Sequence, residues 1–152
     1  MIEDRDEGFA GALELARLRR QAADRDPLAR VVIGCAIEVH KALGPGLLES
    51  AYARCLAHEL LSAGIRFREQ VPIPVLYKMV RVECGYRLDF LVEDRIILEI
   101  KSVERVVQLH RSQLLTYMRL SEVQLGFLLN FNAPRLVDGI SRVRLGFPSA
   151  GE

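Results

Sequence analysis

Asp89, Glu99 and Lys101 stand within a strongly apolar run, Gly85-Tyr86-Arg87-Leu88-Asp89-Phe90-Leu91-Val92-Glu93-Asp94-Arg95-Ile96-Ile97-Leu98-Glu99-Ile100-Lys101. The run reads as two hydrophobic strands joined by a short charged turn. Alternation along a strand sends residues two apart to one face, so Glu99 and Lys101 project together. With Asp94 at the centre of a three-residue turn, Asp89 lies opposite Glu99, with Cβ atoms roughly 4.5–5.5 Å apart on the same face. Like charges side by side destabilise an apolar hairpin unless a cation lies between them. A hard divalent ion ligated by oxygens meets that need. A plain ion pair at a strand end, Asp89–Lys101 or Glu99–Lys101 with no metal, fits the residue pattern about as well.

Two further groups carry polar chemistry. In Gly46-Leu47-Leu48-Glu49-Ser50-Ala51-Tyr52, Glu49 and Tyr52 are three apart and share a helix face. Glu49 in a first helical turn gains from the helix dipole whatever else it does. As a site residue it would add an oxygen ligand, directly or through water, with Tyr52 packed beneath it or hydrogen-bonded to it. In His110-Arg111-Ser112-Gln113-Leu114-Leu115-Thr116-Tyr117, Gln113 and Tyr117 lie on one side of a helix, and His110 precedes them by one turn. A solvated helix face accounts for all three; a site would use Gln113 and Tyr117 to orient a phosphate or the lysine. His40, beside Lys41 near a helix end, reads as a surface histidine favoured by the dipole.

The elements that must hold these groups follow from caps, breakers and periodicity. Asp26 is an N-cap and Pro27 a first-turn proline, opening a helix that Gly44-Pro45-Gly46 ends. A second helix is expected over about 47–62, closed by Gly64. Residues 66–76 alternate but carry Pro72 and Pro74, which confine them to a sheet edge or to irregular pairing. A turn at Tyr77-Lys78 leads into a further strand from Met79 or Val80, either separate from or continuous with that of Asp89, before the strand 96–101. A helix over about 106–120, amphipathic through Val107, Leu114, Leu115 and Met118, leads to an apolar interior strand over 123–131. Ile140, Val143 and Leu145 suggest a peripheral C-terminal strand. The order α-α-β-β-β-α-β with that added strand is an α/β sheet layered with helices.

Composition narrows the class without naming it. The chain has 152 residues, half of them hydrophobic and 27% charged, as expected of one globular domain. A net charge of +1 advertises no bulk field for nucleic acid. Residues 1–26 form a charged leader with seven acidic and five basic side chains, containing a short helical pattern over 10–20; without it the remainder is +3. Cys35, Cys55 and Cys84 are odd in number and widely spaced, which argues against disulfides and zinc ribbons and for a cytoplasmic protein. The acidic N-terminus is unlike a signal peptide, and no apolar run approaches the roughly 20 residues that span a bilayer.

Together these pieces resemble the PD-(D/E)xK nuclease superfamily and, more narrowly, the GxxExxY family, whose name matches Gly46 through Tyr52. The resemblance runs from about Leu28 to Leu145. It includes Ile37-Glu38-Val39-His40-Lys41, Leu43-Gly44-Pro45-Gly46, Tyr86-Arg87-Leu88-Asp89 and Leu128-Leu129-Asn130-Phe131. Leu88 replaces the proline of the superfamily name, and residues 1–26 have no counterpart. The resemblance implies a restriction-endonuclease-like core, a mixed central β-sheet flanked by helices, spanning residues 27–147 before a short tail, 148–152. It also implies Mg²⁺ or Mn²⁺ on Asp89, Glu99 and the main-chain carbonyl of Ile100, with Glu49 supporting a ligand water and Lys101 beside the reacting water. Gln113 and Tyr117 resemble the Gln-x-x-x-Tyr helix of RecB-like exonucleases.

On that resemblance the expected activity is metal-dependent hydrolysis of DNA, or RNA, to 5′-phosphate and 3′-hydroxyl ends. Arg87, Arg105 and Arg111 would contact backbone phosphates, with Tyr52 also near the substrate. A catalytically inactive nuclease-like fold that binds nucleic acid or protein is the competing expectation, and an ion-pair network in a structural dimer is a third. A homodimer is compatible with each.

Overall fold

The computed structural model describes residues 26–146. The described residues divide into two units, 26–34 and 35–146, and the boundary falls inside the first helix, α1, Pro27–Leu43. In the first unit, Asp26 is the expected cap: its Oδ1 accepts from the N–H groups of Leu28 at 3.0 Å and Ala29 at 3.3 Å. The helical pattern expected over 10–20 lies outside the described residues.

The second unit holds every expected site residue. Helix α2, Glu49–Ser62, ends as the sequence suggests. Gly64 takes a left-handed φ of 71°, its N–H bonds Leu61 O at 3.0 Å, and Ile65 N–H bonds Leu60 O at 3.1 Å. That pair of bonds satisfies the last carbonyls of the helix.

Five strands make the main sheet: β1, Phe67–Pro72; β4, Arg87–Val92; β5, Ile96–Lys101; β6, Leu125–Asn130; and β7, Ile140–Arg144, in the order β1-β4-β5-β6-β7. β5 and β6 are parallel and joined by helix α3, Gln108–Ser121; the other neighbours are antiparallel. β6 is buried throughout and β5 almost so, which explains their uninterrupted apolar sequences. β1 is an edge strand and ends at Pro72, which has no N–H to give a further neighbour.

The expected order changes in one region. The single strand foreseen over 66–76 is two, β1 and then β2, Val75–Tyr77. β2 pairs only with β3, Val80–Val82, in a separate two-stranded sheet, and β3 is not continuous with β4. Lys78 and Met79, at φ 45° and 71°, supply the doubly left-handed turn that a two-residue hairpin loop requires. His40 also departs from expectation. It is buried, and its Nε2 lies 2.8 Å from Ala133 O, so a tertiary contact rather than the helix end fixes it.

The core beside the candidate site is built from Leu91, Ile97 and Leu128 of the sheet with Leu114 and Met118 of α3. Gly126 on β6 lets that helix close down, since a Cβ there would meet Met118 Sδ at 2.9 Å. Gly139 is more constrained, because its Cβ would overlap the carbonyl oxygen of Asn130. Main chain cannot swing aside as a methionine end can. Gly139→Ala is therefore expected to lower the unfolding free energy by about 2–3 kcal/mol in urea denaturation, and Gly126→Ala by less.

Candidate functional site

The β4–β5 hairpin has the foreseen register: Phe90 faces Leu98, Leu91 faces Ile97 and Val92 faces Ile96. Its turn, Glu93-Asp94-Arg95, is closed by Arg95 N–H on Val92 O at 2.9 Å, with Glu93 and Asp94 both left-handed at φ 51° and 54°. Arg66, before β1, holds the turn from outside through a 2.9 Å contact of Nη2 with Glu93 Oε2. One step inward from Phe90 and Leu98, side chains replace main-chain pairing. Asp89 N–H donates to Glu99 Oε1 at 3.3 Å, and Ile100 N–H donates to Asp89 Oδ2 at 2.8 Å. The two carboxylates are thus clasped to each other's strand.

This clasp is electrostatically expensive. Glu99 is only 6% exposed, and burial, reinforced by the charge of Asp89, pushes its carboxyl from the usual 4.5 up to about 8. The Asp89 N–H and the Lys101 ammonium oppose that rise without cancelling it. Asp89 is raised as well, by burial first and with a contribution from Glu49, against the Ile100 N–H, Lys101 and Gln70. In the protein without a cation, the pair holds a proton near neutral pH.

The surrounding elements bring most of the expected residues to this corner. Tyr117 of α3 is half-buried; its phenol is raised by burial and then by the charge of Glu99, with smaller effects from Tyr86 and Asp89. Its ring packs against Tyr86 at 5.9 Å. Gln113 is half-buried one turn earlier on the same helix, while His110 turns back and accepts the Val107 N–H on Nδ1 at 3.1 Å. Glu49, exposed at the start of α2, accepts the Ser102 N–H at 3.3 Å, and Ser102 Oγ donates to Leu47 O at 2.6 Å. These bonds tie the α2 N-terminus to the residue after Lys101. Arg87 opens β4, and Arg111 lies on α3; both are exposed.

Tyr52 does not take the substrate-facing place expected of it. Its ring is fully buried and stacked on Phe131 at 4.5 Å. Its hydroxyl donates to Gly44 O and accepts from Leu47 N, so it holds the Gly44–Leu47 turn that presents Glu49. Three other residues were not singled out for roles in the sequence. Gln70 Nε2 lies 3.4 Å from Asp89 Oδ1. Ser102 makes the α2 tie described above. Asn130, buried beside Lys101 on β6, brackets Val103 through Oδ1 at 3.1 Å and Nδ2 at 3.0 Å. Ser102 follows the Glu-x-Lys directly, and Asn130 falls in a motif already noted, so both had a sequence signal. Gln70 had none without the β1 register.

A family model described as the PD-(D/E)XK nuclease superfamily matches residues 26–143. The chain belongs to that superfamily. The five-stranded mixed sheet flanked by helices agrees with the restriction-endonuclease-like fold of such nucleases. No curated protein and no solved structure matches the chain. No helix among the described residues is long and apolar enough to cross a membrane.

Nucleases of this superfamily commonly use divalent metals. Among the described residues, no three His, Cys, Asp or Glu side chains gather into a metal-binding group, so Glu49 does not complete a cage with Asp89 and Glu99. The donor set still suits a hard cation. Mg²⁺ is usually held by one or two carboxylates with waters and substrate phosphate completing the shell, and an ion between Asp89 and Glu99 would relieve the repulsion that now retains a proton.

Two outcomes follow. Glu99 is protonated in the fold at pH values where it ionises in the unfolded chain. Its stabilising share is whole below about pH 4.5 and is lost as pH rises through about 8. In EDTA, wild-type stability should fall across that window by up to about 4 kcal/mol, and Glu99→Gln should flatten the fall in denaturant titrations at several pH values. Tyr52→Phe should cost about 1–2 kcal/mol of stability by the same method, since Leu47 N and Gly44 O lose their partner.

Proposed function

We propose that this protein is a Mg²⁺- or Mn²⁺-dependent nuclease of the GxxExxY group, hydrolysing phosphodiester bonds of DNA or, alternatively, RNA. The observation that carries the reading is the clasped pair of half-buried Asp89 and buried Glu99, with Lys101 two residues along the same strand. A structural ion pair would need one acid beside the lysine. Two acids side by side, one of them buried, ask for more positive charge than one ammonium supplies.

Asp89, Glu99 and the main-chain carbonyl of Ile100 would hold the cation, with Glu49 supporting a ligand water from the N-terminus of α2. When bound, the cation would lower the pKa of an attacking water and offset charge on the scissile phosphate. Lys101, next to that water, would take part in its deprotonation or donate hydrogen bonds to the phosphoryl oxygens as negative charge builds on them. Tyr117 and Gln113 would orient the lysine or the phosphate from α3. Arg87 and Arg111 would fix the register of the nucleic-acid backbone without reading its sequence. The products expected are a 5′-phosphate and a 3′-hydroxyl.

The decisive assay offers labelled single- and double-stranded DNA and RNA with Mg²⁺ or Mn²⁺. Asp89→Ala and Lys101→Ala are each expected to lower the cleavage rate at least about a hundredfold. Equal cleavage by wild type and both variants would overturn the reading. Retention of nucleic acid that survives EDTA, with no cleavage under any condition, would mark a binding module instead.

A further inference from the structure

The geometry points to Gln70 as a positioning residue that holds the metal-binding carboxylate of Asp89 from the neighbouring strand. The inference rests on the metal site proposed above and adds to it a residue from a third strand.

The β1–β4 ladder runs in one unbroken register on both sides of Gln70: Glu69 faces Phe90, and Val71 faces Leu88. Gln70 is therefore the residue opposite Asp89, with no inserted residue to excuse an irregularity. Yet its φ is +52°, a left-handed value that side chains other than Gly, Asn and Asp seldom adopt. An unfavourable backbone inside an otherwise regular pairing persists only where its surroundings enforce it, and such residues cluster at functional sites.

The contact made there accounts for the position. Asp89 Oδ2 is already fixed by the Ile100 N–H at 2.8 Å, and the Asp89 main chain is fixed by Glu99. Oδ1 remains, and the Gln70 amide approaches it at 3.4 Å. One oxygen of the carboxylate is thus set by β5 and the other by β1. A carboxylate with a donor at each oxygen is biased against rotating away from a cation shared with Glu99. The long, weak contact suits a group that steers Oδ1 and leaves it a lone pair for the ion. Glutamine also suits this place chemically. It donates to the carboxylate, whereas a glutamate would add a third negative charge beside two that are already crowded.

Backbone strain and side-chain contact can be separated by substitution. Glycine adopts a left-handed φ freely, so Gln70→Gly removes the side chain and relieves the backbone together. Asparagine tolerates the same conformation and keeps an amide on a shorter stem. Mn²⁺ affinity of the full chain would be measured by calorimetry beside the thermal midpoint of the EDTA-treated protein. Gln70→Gly is expected to keep or raise the midpoint while weakening Mn²⁺ binding about 10–100-fold, the usual penalty for losing a group that orients a ligand. Gln70→Asn should recover part of that affinity. Wild-type affinity in Gln70→Gly would overturn the assignment and leave the metal site intact. So would a loss of affinity in both variants that merely tracks a lowered midpoint. No Mn²⁺ binding by wild type would remove both this inference and the metal reading beneath it.

Discussion

Two carboxylates forced together, Glu99 buried and Asp89 half-buried, are the constraint around which this molecule is arranged. Asp89 and Glu99 do not simply meet across a hairpin. Each accepts a main-chain N–H from the opposite strand, so the same bonds that continue β4 against β5 also hold the acids together. Glu99 cannot turn out to solvent without releasing the Asp89 N–H, and Asp89 cannot turn without releasing that of Ile100. Repulsion is locked into the hydrogen-bonding of the sheet, and a proton or another cation must answer it.

Other parts of the fold serve that corner from a distance. Tyr52 spends its hydroxyl on the turn before α2, which sets where Glu49 begins the helix. Ser102 and Asn130 fasten the chain just after Lys101, one to the α2 turn and the other to the end of β6. Leu114 and Met118 press α3 onto Gly126, and Tyr117 on that helix comes under the influence of Glu99 and Asp89. None of these groups needs to touch a substrate to matter. Each fixes the place of one that would.

What could be read in advance was whatever local pattern specifies. The β4–β5 register follows from a charged triplet between apolar runs, and that pattern alone sets Asp89 opposite Glu99. The Asp26 cap, the Gly64 helix ending and the edge position of the proline-bearing strand belong to the same class. The remainder depends on contacts between distant parts of the chain. His40 is governed by Ala133, and Tyr52 by a turn behind it rather than by the acid one helical turn away. Gln70 became visible only with the β1 register. The turn before Val80 was legible one residue early, at Tyr77-Lys78, but the pairing of its two strands apart from the main sheet was not, because no local pattern says which neighbour a short strand takes.

That hairpin has one more implication. It leaves the main sheet after β1 and returns before β4, forming its own two-stranded sheet with Met79 at its tip 92% exposed. Gln70 and Asp89 are placed by the strand register on either side, so the exposed tip of the hairpin, between Tyr77 and Val80, can change length or chemistry without shifting either residue. The tip at Lys78-Met79 would accept a grafted peptide or a reporter label with little disturbance to the acidic corner.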